Sequence, residues 1–449
     1  MQNEVLKMLL EFETRNFKSF IDKTTFSMLS APKQKDLSYS LFPVKSTGSS
    51  RKGLCSSVIY GPNAAGKTNI IGAMEVLQAI IARGNISNSS QETSPNAATA
   101  SLEFIPNNQL KKGQPVEFYI DFLYGTYRFQ YELKIDIGTF LDADYSRKIL
   151  EETLYVNKKL IFKRDNDLFV DHMNIMEQQI EPVKITTASN LVQIAKNSLT
   201  STDLFLTNGF KLIFSQPIVQ SFTEWFAQKF MVIYRADSMQ LLRRFADPQK
   251  KTIYIEQTVN HAAKLFGISS NAIGYVPGSD ESLPKLCSLF NIKDNKTIGI
   301  LAEIFESYGT IRFVNMFPLV IRAIVSGATL VVDEFDASIH PMALMNIINI
   351  FHNDEINRNH AQLIFNTHNP IFLNSNLFRR DEIKFVERDE KTHKSIIYSL
   401  SDFGTSGENG VRKGEDYMKN YFISQYGAIK NIDFTPVFEE ILSSAKPEV

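Results

Sequence analysis

Residues Gly61-Pro-Asn63-Ala64-Ala65-Gly66-Lys67-Thr68 follow the GxxxxGK[ST] spacing of a loop that cradles phosphates. The two glycines let the backbone curl until successive N–H groups, from Asn63 through Gly66 and on to Asn69, point inward at phosphate oxygens. A helix opening after Gly66 adds its positive N-terminal end. Lys67 is expected to meet the β- and γ-phosphates, and the Thr68 hydroxyl to ligate Mg2+. Far downstream, Ala328-Thr-Leu-Val-Val-Asp333-Glu334 is an apolar run that ends in two carboxylates. A carboxylate at the end of a buried strand beside such a loop can hold the Mg2+ shell, the role expected of Asp333. Glu334 is then placed to polarise an attacking water as general base. The ligands implied are ATP and Mg2+.

Three further groups suit the same chemistry. Glu306-Ser307-Tyr308-Gly309-Thr310 precedes a helical stretch, Ile311 to Val325, that leads to the Asp333 strand. In ABC-type ATPases a Ser-Gly signature in that position binds the γ-phosphate held by the opposite protomer, through a hydroxyl, a backbone N–H and a helix N-terminus. Ser307 and Gly309 are the candidates here; the plainer reading of the serine is a helix N-cap. Asp336-Ala-Ser338-Ile-His340-Pro341 follows the carboxylate pair, where such ATPases carry a D-loop that crosses to the partner subunit. His368, in Phe365-Asn-Thr-His368-Asn, stands where a switch histidine would meet the γ-phosphate. The plainer reading for it is a structural histidine.

The elements that must position these groups are legible as patterns. Ser57 to Tyr60 is a short apolar strand before the loop, and Asn69 to Ala82 has helical apolar spacing after it. Phe12 to Phe20, Thr25 to Leu29, Ser101 to Ile105, Val116 to Leu123 and Tyr127 to Ile137 read as strands, and Glu152 to Lys163 as a hairpin turning near Asn157. Gly84 to Ala98 reads as a surface loop. From about 170 to 295 helical stretches such as Val219 to Phe230 and Tyr254 to Leu265 predominate. Gly327 to Asp333 and Gln362 to Asn366 read as buried strands, Pro341 to His352 as a helix, and Ile383 to Glu387 with Ser395 to Leu400 as a late hairpin. The expected fold is α/β: an ABC-type P-loop ATPase with a mixed central sheet, an antiparallel β subdomain and a mostly helical insertion. The expected division is a first lobe over 1–168, the insertion over 169–299 and a second lobe over 300–449.

Bulk properties remove several function classes. The 449 residues carry a net charge of −1, so a globally basic nucleic-acid binder is not indicated. The N-terminal stretch is interrupted by charges and is not a secretory signal. The longest apolar stretch, Phe313 to Val325, is broken by Arg322, so no membrane span is expected. Two cysteines, Cys55 and Cys287, cannot make a disulfide framework and fit a reducing cytoplasm. The histidines show no metal-ligand spacing, and His352 and His360 are expected on a solvated helix end and a loop.

The opening Arg15-Asn-Phe-Lys-Ser-Phe20, the phosphate loop, ESYGT, LVVDEFDASIHP and FNTHNP resemble the SMC/Rad50/RecF-related ATPases. More narrowly they resemble the prokaryotic AAA15/AAA21 group, which includes AbiL- and RloA-type proteins of phage-defence loci and OLD-like ATPases. Glu152-Thr-Leu-Tyr155, Leu160 to Arg164, Arg379 to Glu387 and Tyr426 to Ile429 share in that likeness, whereas 170–295 matches weakly. A Q-loop glutamine is not assignable: Gln91 lies in the surface loop and Gln114 precedes a strand. ESYGT in place of LSGGQ argues for the soluble SMC-like branch over a transporter. OLD relatives append a Toprim nuclease, but Asp142-Ala-Asp144 is the sole suggestive acidic pair here and reads as an ordinary turn. The resemblance implies ATP-sandwich dimers or higher even oligomers that control a separate effector, Toprim-like or another nuclease, in anti-phage defence. The alternative is a RecF-like repair ATPase acting on DNA directly.

Overall fold

The computed structural model describes residues 6–32, 34, 37–44, 51–87, 106–107, 113–140, 142, 145–171, 188–234, 257–276, 285–292, 296–405, 410–412 and 414–444. Ser101 to Ile105, Gln91 and Asp144 lie outside them, as does the surface loop beyond residue 87. The strands in chain order are β1 (Leu6–Arg15), β2 (Thr24–Ser27), β3 (Leu41–Phe42), β4 (Gly53–Leu54), β5 (Ser56–Tyr60), β6 (Val116–Gly125), β7 (Tyr127–Asp136), β8 (Lys148–Val156) and β9 (Lys159–Arg164). They continue with β10 (Leu168–Val170), β11 (Phe230–Ile233), β12 (Ala272–Val276), β13 (Lys285–Ile292), β14 (Lys296–Leu301), β15 (Thr329–Val332), β16 (Gln362–Asn366), β17 (Ile383–Arg388) and β18 (Ser395–Ser399). The principal helices are α1 (Lys67–Arg83), α2 (Ala188–Asn197), α3 (Gln216–Glu224), α4 (Gln257–Phe266), α5 (Tyr308–Ser326) and α6 (Pro341–His352).

Two large sheets organise the chain. One has six strands in the order β11-β15-β16-β5-β17-β18, parallel except for β18. Its strands β5, β11, β15 and β16 are buried throughout and largely apolar because both faces are covered. Side chains alternate between two cores: Val58, Leu330, Val332, Leu363 and Phe365 face one, and Ile59, Val331 and Ile364 the other. The first core takes Val314 and Val320 of α5 with Ile347 and Ile348 of α6; the second takes Ile70, Met74 and Leu77 of α1.

The other sheet has seven strands in the order β10-β9-β8-β7-β6-β1-β2, every pair antiparallel. The hairpin at Asn157 turns on two left-handed residues, Asn157 (φ 51°) and Lys158 (φ 66°), the backbone a two-residue turn of this type needs. A mixed α/β architecture with a central sheet and an antiparallel sheet is therefore present as expected.

The stretch 169–299 is less purely helical than its pattern suggests. Alongside α2, α3 and α4 it supplies β11, which pairs in parallel with β15 and so belongs to the six-stranded sheet. It also supplies most of a three-stranded sheet, β12-β13-β14. The helix expected over Val219 to Phe230 stops short of Phe230, which opens β11. Four apolar residues in a row, Phe230 to Ile233, extend a helical pattern equally well; only a parallel neighbour converts them to strand. The single tryptophan anchors this region: Trp225 stacks on Phe122 of β6 at 4.0 Å and on Phe230 at 4.8 Å. Buried Glu152 fastens it too, accepting from the N–H groups of Phe205 (2.7 Å) and Leu206 (2.9 Å). Among the described residues α5 is the one helix long and apolar enough to span a membrane, and its buried residues pack in the core.

Candidate nucleotide site

The parallel strand order sets the site. β16 lies between β5 and β15, so three C-terminal strand ends meet at one edge of the sheet. β5 runs into the phosphate loop, β15 into Asp333-Glu334 and β16 into Thr367-His368. Ligands of open α/β sheets bind outside such carboxyl ends.

The loop bends where its glycines stand. Gly61 has φ 154° and Gly66 φ 113°, and a Cβ on Gly61 would lie 2.2 Å from the Val386 carbonyl oxygen. Gly66 is cradled by two serines: its Cβ would lie 2.7 Å from Ser19 Oγ and 2.8 Å from Ser395 Oγ. Ser395 Oγ donates to the Ala65 carbonyl at 2.5 Å, and Asn69 Nδ2 donates to Ser19 Oγ at 2.8 Å. Arg388 Nη1 reaches the Ala64 carbonyl at 3.4 Å, while Asn63 and Ala64 themselves are exposed. Helix α1 begins at Gly66 with no side-chain cap and no acidic residue in its first turn. Its first N–H groups are thus left to an anion, which suits a phosphate chain.

Lys67 is 5% exposed and folds back to donate to the carbonyls of Gly61 (2.8 Å) and Pro62 (3.0 Å). Burial pushes its pKa down to about 8, against the opposing pull of Asp333, Glu334 and Asp336. The ammonium is held among carbonyls and short of full charge compensation, a state that an incoming phosphate would relieve.

Thr68 Oγ1 lies 3.1 Å from Asp333 Oδ1, across 265 residues of chain. Octahedral Mg2+ with bonds of about 2.0–2.1 Å sets neighbouring ligands roughly 3 Å apart, so the pair fits a Mg2+ edge. Asp333 is buried and Glu334 exposed, as a cation ligand and a water-facing base require. Glu334 adopts a left-handed backbone (φ 52°) and its carbonyl accepts from Arg312 Nη2 of α5 at 2.5 Å. Asp336 Oδ2 accepts from Thr367 Oγ1 at 2.6 Å; burial raises its pKa, and that hydrogen bond opposes the rise. His368 is exposed, yet partial desolvation and the Lys67 charge hold its pKa below the ordinary value. Both causes favour the neutral imidazole in the free protein.

Ser307 and Gly309 stand apart from this cluster. Ser307 is the N-cap of α5, accepting from Thr310 N at 3.1 Å, so the helix starts within the ESYGT segment and three residues earlier than its apolar spacing indicates. A Cβ on Gly309 would lie 2.1 Å from the Ser338 carbonyl oxygen, so the signature turn rests on the Asp336–His340 segment. Ser307, Gly309, Ser338 and His340 line one exposed groove with Phe313 and Phe317, and none of residues 61–69 lines it.

Ser19, Ser395, Arg312, Asn366 and Thr367 escaped the sequence reading. Asn366 and Thr367 had a signal, since polar residues directly end an apolar strand. Arg312 and Ser395 had none, because both act through backbone carbonyls distant in sequence.

His352 is a correction. It is 4% exposed, and its Nε2 lies 2.9 Å from Ser56 Oγ and 3.4 Å from Glu382 Oε1. The final turn of α6 faces the root of β5, not solvent. Cys55 Sγ joins at 3.8 Å from the same carboxylate oxygen, and Glu382 Oε2 accepts from Arg379 N at 2.8 Å. With Ser56, Cys55 and Arg379 donating to one carboxylate, this is a satisfied buried acceptor. His360 has φ 57° and packs on Phe42 at 4.6 Å.

No curated relative matches the chain. Solved structures similar to it include the SMC head domain from Thermotoga maritima (13% identity, TM-score 0.35, covering 87% of this chain and 98% of that one). An SMC head bound to the C-terminal winged-helix domain of ScpA has 13% identity, TM-score 0.38, and coverage of 87% and 97%. A third, an SMC head with extended coiled coil bound to the C-terminal domain of ScpA from Pyrococcus furiosus, has 12% identity, TM-score 0.37, and coverage of 87% and 96%. The family profile described as "AAA domain, putative AbiEii toxin, Type IV TA system" matches residues 56–168 and 234–374. That match spans more than half of the chain and takes in the phosphate loop, the carboxylate pair and His368, and the chain belongs to the AAA_21 family of P-loop ATPases.

Proposed function

We propose that the protein hydrolyses ATP in a Mg2+-dependent reaction at sites shared between two copies, and that the closed dimer controls a separate effector in anti-phage defence. The observation that carries the hydrolytic reading is the meeting of Thr68 and Asp333 at 3.1 Å beside the uncapped start of α1. Residues 63–69 would hold the phosphates, with Mg2+ on Thr68 and Asp333. Bound Mg2+ would neutralise developing phosphate charge. Glu334 would take a proton from the attacking water, and His368 would donate a hydrogen bond to the γ-phosphate. Ser307 and Gly309 would cap the nucleotide of the partner copy, and Asp336 would belong to the crossing loop. Their groove, free of phosphate-loop residues, supports action in trans. We further propose the division 1–168, 169–299 and 300–449 as working units.

The defence reading is supported by the toxin–antitoxin description of the family; the effector would be a separate protein, a Toprim-like or other nuclease. A net charge of −1 favours this over direct DNA action, which would call for a basic surface and salt-sensitive binding.

The test uses the full chain. Wild type is expected to turn over Mg-ATP. Glu334→Gln is expected to bind ATP with unchanged affinity, to lose about 10²-fold or more in kcat, and to accumulate dimers in ATP by light scattering. Wild-type turnover in Glu334→Gln would assign the base elsewhere, and a monomer in saturating ATP would refute the shared site.

A further inference from the structure

Asn366 ends β16, between the strand of the phosphate loop and the strand of Asp333, and is 1% exposed. Both ends of its carboxamide are engaged. Nδ2 donates to Asp333 Oδ1 at 2.5 Å, and Oδ1 accepts from Glu334 N at 2.5 Å. Chemistry dictates this orientation: a backbone N–H only donates and an ionised carboxylate only accepts, so the amide can sit one way round. Neither Leu, with no polar atom, nor Asp, with no donor, meets both demands.

The two contacts act on different tasks. Asp333 Oδ1 is the atom that lies against Thr68 Oγ1, so the Asn366 donor fixes the rotamer that completes the cation edge. Glu334 is non-glycine at φ 52°, a left-handed conformation that L-residues rarely adopt. The hydrogen bond to its N–H helps hold that conformation, and with it the direction of the carboxylate side chain.

We propose that Asn366 is a positioning residue that presets the divalent-cation ligand and the general-base peptide together, so that one side chain couples cation binding to readiness for hydrolysis. This rests on the ATPase reading above and deepens it.

The probe is Mn2+, titrated by electron paramagnetic resonance into the full chain with a non-hydrolysable ATP analogue. Asn366→Leu is expected to weaken Mn2+ about tenfold or more, in the range typical of lost outer-shell partners of metal ligands. Metal-free analogue affinity and Trp225 emission should stay as in wild type. The weakening should persist in a Glu334→Gln background, which separates the cation effect from the base. Asn366→Asp, nearly isosteric, sets a second carboxylate against Asp333; its melting temperature should rise on adding Mn2+ by several degrees more than that of wild type. Wild-type Mn2+ affinity in a folded Asn366→Leu, or an Asn366→Asp whose melting responds to Mn2+ as wild type does, would overturn the proposal. Because Mn2+ binding is read without turnover, a wild type that fails to hydrolyse ATP refutes the ATPase reading and leaves this test in force.

Discussion

At the scale of single residues, Lys67 converts burial into a pH dependence. Its pKa of about 8 in the free protein must rise when phosphate charge arrives, so binding takes up a proton wherever the free lysine is deprotonated. Through this group alone, ATP affinity should be flat below about pH 8 and fall above it. Calorimetry in two buffers of different ionisation enthalpy should detect uptake of about three-quarters of a proton at pH 8.5 and little at pH 7 from this group. No uptake at pH 8.5 would show that Lys67 keeps its ordinary pKa. The sign for folding is the reverse: the folded pKa lies below the unfolded 10.5, so this group's contribution to stability rises between about pH 8 and 10.5. Lys67→Ala should abolish ATP binding and leave the fold intact, read by equilibrium titration and by Trp225 emission.

At the scale of elements, the signature helix and the segment after the carboxylate pair behave as one piece. Gly309 has a second reason to be glycine beyond any phosphate contact, because the Ser338 carbonyl occupies the place of a Cβ. Ser338 is itself held at φ 61°, so it cannot retreat freely. Arg312, one turn on, holds the Glu334 carbonyl from the same helix. Gly309→Ala should therefore destabilise the protein by about 1–3 kcal/mol, the usual effect of overpacking. Urea unfolding followed by Trp225 emission measures this. Unchanged stability would mean that α5 can slide away from the Ser338 segment at no cost. That helix start was displaced in the pattern, since Ser307 and Thr310 carry no apolar periodicity; the cap that starts the helix is a hydrogen bond, which spacing of apolar residues does not encode.

At the scale of the whole molecule, a site divided between copies has a genetic signature. Ser307→Arg should disable the partner's site by blocking close approach of the α5 N-terminus, and leave its own phosphate loop intact. Mixed with Lys67→Ala chains, it should form heterodimers in which one composite site carries both lesions and the other neither. Each variant alone should be inactive, and the mixture should regain up to about a quarter of wild-type turnover if a lone intact site works: half of the dimers, each with one site of two. ATP-dependent crosslinks between cysteines placed at 307 and at the exposed position 63 of different chains should form in Glu334→Gln dimers. Crosslinks confined to single chains, or indifferent to ATP, would rule out the sandwich.

The phosphate loop, the Asp333-Glu334 strand and the helix Pro341 to His352 could be read directly from the chain, because each is a local pattern: glycines at fixed spacing, an apolar run ending in charge, a helical stripe. Their placement side by side could not, since it depends on β16 inserting between β5 and β15. That insertion turned Asn366 from a strand-end polar residue into a bridge, while pairing with β15 drew β11 out of an apparently helical stretch into the sheet. It was also folding that turned His352 inward, because the end of α6 meets the root of β5. A hydrogen bond between residues hundreds of positions apart leaves no periodicity in sequence. Its partners are chosen by the packing of whole elements, and only the packed chain reveals them.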